Sequence, residues 1–97
     1  MKVIYHRLAV RDVRQILEHY ENEAGLRLGD RFFSDLLATI GKALANPAQF
    51  PPLGETFRRA NLTDFPYHIL YETKSWGIKV VVVRHHRRRP GFGMRRR

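Results

Sequence analysis

Arg58, Arg59, Arg84, His85 and His86 are the residues whose types and spacing suit chemistry on a phosphate group. Guanidinium groups grip phosphate oxygens through forked hydrogen bonds, and imidazole gains or loses a proton near neutral pH. Metal-free cleavage of RNA needs a base at the ribose 2′-hydroxyl, an acid at the departing 5′-oxygen and cations facing the charge that builds on the phosphate. Arg58 or Arg59 with Arg84 would hold the phosphate and His85 or His86 would move the proton, and Arg58, Arg84 and His86 are the catalytic set expected if the chain is a nuclease. Arg59, His85, Arg87, Arg88 and Arg89 suit contact with an anion or a partner. If a strand runs through residue 86, alternation puts Arg84 and His86 on one face and His85 on the other, unless a bulge intervenes. A plainer role for Arg58 and Arg59 is pairing with Glu55, Asp64 or Glu72.

Other chemistries lack their residues. Cysteine is absent, which excludes disulfides, thiolate metal sites and cysteine nucleophiles. That fits a reducing compartment, and a cytoplasmic location is expected. His19 and Glu23 lie one helical turn apart, but no further ligands accompany them, and neither a metal nor another cofactor is called for. Ser34 and Ser75 sit in no nucleophile elbow, and no helix follows Gly91 and Gly93 to complete a phosphate loop. No apolar run approaches the ~18 residues that a membrane span needs, so no membrane partner is expected. Met1 to Arg7 lacks the pattern of a secretory leader and is expected to begin the fold.

Charge narrows the class of partner. The 97 residues carry 18 lysines and arginines against 9 acids, a net +9 with neutral histidines. Residues 87–97 contain six arginines and no acid, so this end should meet nucleic acid, an acidic protein or an anionic surface. Residues 1–88 are expected to form one domain, with 89–97 as a flexible basic tail that orders under a partner.

The elements that must position these side chains follow from periodicity. Val3 to Tyr5 suit a short strand, and Leu8, Ala9, Asp12, Val13, Ile16, Leu17, Tyr20 and Ala24 recur at helical spacing up to Gly25. After Gly29-Asp30, Phe32, Phe33, Leu36, Leu37, Ile40, Ala43 and Leu44 form a second apolar stripe that closes before Asn46-Pro47. The segment Pro47 to Gly54 reads as a connector, too rich in proline for a helix or a central strand. Thr56 to Ala60 suit a short strand. Tyr67, Ile69 and Tyr71 alternate in the next, with core packing as their first role. After a Lys74–Gly77 turn holding Trp76, a final strand runs from Ile78 to about His85. The expectation is an α+β fold of order β-α-α-β-β-β, a two-helix hairpin packed on a largely antiparallel sheet of about four strands.

With this order, an arginine ahead of Phe65-Pro66-Tyr67-His68-Ile69-Leu70-Tyr71-Glu72, and a last strand ending Val83-Arg84-His85-His86-Arg87-Arg88-Arg89-Pro90, the chain resembles the RelE/ParE superfamily of bacterial toxins. The resemblance covers nearly the whole chain. It implies the toxin half of a type II toxin–antitoxin module, a growth inhibitor neutralised by a cognate antitoxin. Some members cleave messenger RNA on the ribosome, and others poison DNA gyrase without a nuclease site. RelE-type nucleases share a lysine pair ahead of the arginine and a tyrosine near the carboxyl terminus. Here no lysine lies between Lys42 and Lys74, and no tyrosine follows Tyr71. Another nuclease type of the superfamily uses a glutamate, an arginine and a terminal histidine, which Glu55, Arg58 and His86 resemble only loosely in spacing. The ParE-like reading is therefore favoured, with gyrase or another protein as target. Ribosome-dependent cleavage of mRNA is the alternative, and a non-toxic nucleic-acid-binding module is the third reading. Whether the chain is an enzyme is left open by these residues.

Overall fold

Two apolar stripes at helical spacing and several runs of period two must bury their apolar sides against each other, and they do so as two layers. In a computed structural model describing residues 1–97, the order is β1 (Lys2–Tyr5), α1 (Arg7–Ala24), α2 (Leu26–Ala45), a 3-10 turn (Pro47–Gln49), β2 (Pro52–Leu53), β3 (Phe57–Asn61), β4 (Tyr67–Lys74) and β5 (Gly77–His85). The sheet order is β1-β5-β4-β3-β2. β1 runs parallel to β5, and the remaining neighbours are antiparallel.

The α+β hairpin-on-sheet arrangement agrees with the sequence, while the strand count needs correcting from about four to five. The additional strand, β2, lies in the proline-rich connector and pairs through Pro52–Arg58 and Leu53–Phe57. Proline is tolerated there because β2 is an outermost strand. The second helix also starts earlier than Gly29-Asp30 suggested. Gly25 alone separates the helices, with φ 87 and ψ 179, and Gly29 lies inside α2. A Cβ at Gly29 would stand 3.0 Å from Cγ of Glu21, so glycine permits the close approach of α1 and α2.

The main core fills the space between helices and sheet. Phe32, Leu36 and Ile40 from α2 and Ala9 and Ile16 from α1 meet Tyr67, Ile69, Tyr71, Ile78, Val80 and Val83. Tyr20, Phe32, Phe65 and Tyr67 form an aromatic cluster with ring centroids 5.2 to 6.1 Å apart. The alternating tyrosines of β4 thus pack inward. Both Asp35 carboxylate oxygens accept backbone N–H groups of residues 63–65, which fixes the loop that leads into β4.

A bulge in β5 decides which side chains face which layer. Tyr71 pairs with Val80 but Leu70 pairs with Val82, leaving Val81 as an extra residue. Val80 and Val83 consequently enter the helix-side core, while Val81 and Val82 both enter a smaller cluster with Phe57 and Leu70 on the opposite, outer face. One extra residue reverses the parity of everything beyond it. Arg84 therefore stands on the outer face opposite His68, and His85 stands on the helix side opposite Tyr67.

The segment after β5 turns back onto the sheet. Phe92 and Met94 pack on the outer-face cluster, and Arg96 forms a bidentate ion pair with Asp12 of α1. β1 ends at Tyr5, so the far half of β5 has no strand on that side. Its polar groups are met by side chains instead: Val83 N donates to Asp12, and Arg96 donates to the Val81 carbonyl at 3.0 Å. An open strand edge is thereby capped.

Candidate functional site

The parity of β3 separates two adjacent arginines. Arg58 lies opposite Tyr71 on the helix side, where it donates to the Phe50 carbonyl at 2.6 Å. Arg59 lies opposite Leu70 on the outer face, where Nε donates to Asn61 and a second N–H reaches His86 Nδ1 at 3.3 Å. Neither makes an ion pair, as the only two are Lys74–Glu72 and Arg96–Asp12. The proposed catalytic set is therefore split. Arg84 and His86 share the outer face, but the arginine beside them is Arg59, with Arg58 behind the sheet.

The residue that joins the outer-face group is His68, which motif reading did not single out. Arg84 Nε donates to His68 Nε2 at 2.8 Å, and His68 Nδ1 lies 3.0 Å from His86 Nδ1. A guanidinium has donors only, so His68 must accept at Nε2 and carry its proton on Nδ1. This proton then points at His86 Nδ1, which accepts from both His68 and Arg59. The tautomers are assigned from this network of donors. The two rings lie nearly parallel, at 11°, with centroids 5.2 Å apart.

Electrostatics agrees with that assignment. His68 is 1% exposed, and burial, followed by the Arg59 and Arg84 charges, pushes its pKa down to about 3. His86 is lowered as well, by burial and then by Arg59 and His85. His68 is thus neutral at neutral pH, and the shift at His86 also favours its neutral form. Burial and then Arg59 also lower the Arg84 pKa. Arg84 NH1 donates to the carbonyls of Pro90 at 2.8 Å and Phe92 at 2.9 Å, so Arg84 ties β4, β5 and the C-terminal segment together.

His85 makes no hydrogen bond to this group. Its ring meets Tyr67 edge-on at 5.1 Å, and Nδ1 accepts the Arg87 backbone N–H. Together with Gln15, His19 and Arg88, it borders a shallow cleft of about 230 Å³ beside the capped edge of β5. Arg87, Arg88 and Arg89 are exposed. The sites sequence reasoning missed are His68, Asp12 and Arg96. A correct pairing register would have found the first, and no sequence signal links the other two.

The layering and the β1–β5 parallel pair define a small α+β protein of the ParE-like fold, with a cationic end on β5. The chain belongs to the family of ParE toxins of type II toxin–antitoxin systems, whose model matches residues 3–90. Among solved structures it is similar to a chain of the chromosomal ParDE toxin–antitoxin system from P. aeruginosa, with a TM-score of 0.76 and 19% identity. The match covers 88% of this chain and 95% of that one. No curated protein sequence matches. The protein is the toxin of a type II module, and its partner is a cognate antitoxin. No helix is long and apolar enough to cross a membrane.

Proposed function

We propose that this toxin acts by gripping a protein target, DNA gyrase, and that it does not cleave RNA. The observation that carries this reading is the state of His86. A general base needs a free lone pair within reach of its proton, and Nδ1 of His86 already accepts from His68 and Arg59. The remaining ring nitrogen carries the proton of the neutral tautomer. Arg84, the other outer-face candidate, is 5% exposed and holds carbonyls of its own chain. These groups act as a structural clamp, with Arg59, His85 and arginines 87 to 89 left for contact with the target or with the DNA it holds.

The antitoxin is assigned to the other side of the molecule. Val10, Val13, Leu17, Phe33 and Leu37 line an almost wholly apolar groove between the helices, and Val10, Phe33 and Leu37 are exposed. An amphipathic antitoxin segment would bury this groove as a helix-in-groove contact.

The test is induced expression with and without the antitoxin, followed by purified gyrase acting on supercoiled plasmid. Toxin-dependent double-strand breaks with intact mRNA are expected. Ribosome-dependent mRNA cleavage with no effect on gyrase would overturn the reading.

A further inference from the structure

The positive charge at the C-terminal end is mounted on a folded strap. After β5 the chain makes successive turns, closed by Arg88 N to His85 O, Phe92 N to Arg89 O, Met94 N to Gly91 O and Arg96 N to Gly93 O. Three anchors hold it on the sheet. Arg84 grips the Pro90 and Phe92 carbonyls, Phe92 and Met94 pack on the outer-face cluster, and Arg96 locks onto Asp12. Gly93, at φ 79, lies so close that a Cβ would stand 2.6 Å from Cγ2 of Val82.

Five arginines are displayed by this anchoring. Arg87, Arg88, Arg89, Arg95 and Arg97 are exposed, and none forms an ion pair. Like charges held close repel, and a free tail would relax that repulsion by spreading. Here the anchors prevent it. The strap also turns its apolar side chains inward, leaving Pro90 and Gly91 as the exposed residues between the two arginine groups. A protein partner would normally need an apolar contact core within a polar rim. Phosphate contact needs only cations and backbone donors.

We propose that the strap is a phosphate-contact surface for duplex DNA. The inference rests on the gyrase reading, because that target holds DNA and the toxin would touch both. The surface reads backbone charge, so it contributes affinity without sequence preference.

The test is fluorescence anisotropy of a labelled ~20-bp DNA duplex with the full chain from about 50 to 200 mM salt, with no gyrase present. Five phosphate contacts give a slope of about −4.5 in log K against log salt, an affinity loss of about 500-fold across that range. Replacing Arg87 and Arg89 together by Gln should reduce the slope by about two. Gly93→Ala keeps every charge but displaces the strap, and binding should weaken at least about fivefold, a loss that tracks the ordered array and not net charge. Three results would each overturn the proposal: a slope unaffected by the double substitution, wild-type affinity in a folded Gly93→Ala chain, or poly-glutamate competing as well as unlabelled DNA. The last would assign the strap to an acidic protein. Because gyrase is absent, failure here leaves the gyrase experiment standing, and failure there leaves this result readable.

Discussion

Asp12 and Arg96, separated by 84 positions in sequence, form a bidentate ion pair of 2.6 and 3.0 Å that closes the C-terminal segment onto the first helix. The same carboxylate accepts Val83 N–H, and the same guanidinium donates to the Val81 carbonyl. Removing one partner of a buried pair leaves the other charge and a strand edge unsatisfied. Asp12→Ala should therefore cost about 3 kcal/mol in urea denaturation. Arg97→Ala, at an exposed neighbour, should stay within about 0.5 kcal/mol. Equal effects would refute the clasp.

The histidine pair predicts acid sensitivity. His68 is held at about 3 and His86 is lowered, whereas in the unfolded chain each titrates near 6.5. Below about pH 6.5 the unfolded state takes up protons that the folded state refuses, so stability is complete above that pH and declines toward pH ~3. Each such proton contributes a slope of about 1.4 kcal/mol per pH unit. His68→Gln should remove about one proton's worth of slope between roughly pH 4 and 6, measured by urea denaturation at a series of pH values. An unchanged slope would place the acid-sensitive group elsewhere.

Arg58 and Arg59 should separate in experiment because the sheet stands between them. Arg58→Ala loses the bond to the Phe50 carbonyl and should cost about 1 to 2 kcal/mol of stability while the folded variant still arrests growth. Arg59→Ala should change stability by less than about 1 kcal/mol, its contacts being exposed. Loss of toxicity in a fully folded Arg58→Ala protein would return Arg58 to the functional set.

Glycine is required at one turn and optional at another. A Cβ on Gly77 would lie 1.9 Å from the Lys2 carbonyl oxygen, where β1 joins β5, at φ 147. Gly77→Ala should cost more than about 3 kcal/mol or prevent folding. Gly54, at φ 67 with nothing within 4 Å, should tolerate Ala at a cost of about 1 kcal/mol. Comparable melting temperatures for the two variants would contradict the parallel β1–β5 contact.

The inter-helix groove makes a prediction about neutralisation. Leu37 is 46% exposed on α2, so Leu37→Glu should leave the melting temperature nearly unchanged. Co-expressed antitoxin should then fail to rescue growth. Full rescue, with antitoxin still co-purifying, would move the docking surface elsewhere.

How far the sequence could be read is clearest at β4 and β5. The alternation of Tyr67, Ile69 and Tyr71 and the valine run gave the hairpin, and the 3.6-residue spacing of two apolar stripes gave the helices, because period and burial are coupled within one element. Counting back from the Ser75–Trp76 turn without a bulge pairs His68 with Val83, and the clamp disappears. The bulge at Val81 moves the partner to Arg84. No local pattern marks it, since four consecutive valines satisfy either face.

By itself, then, the sequence determined the two helices, the β4–β5 hairpin, the two-layer class and the basic end of the last strand. Only the tertiary structure decided that Arg59 and not Arg58 joins them, that His68 links the group, and that the arginine-rich end is folded back onto Asp12. Composition and period record what one segment must bury. The bulge register and the pairing of positions 12 and 96 depend on how distant segments meet.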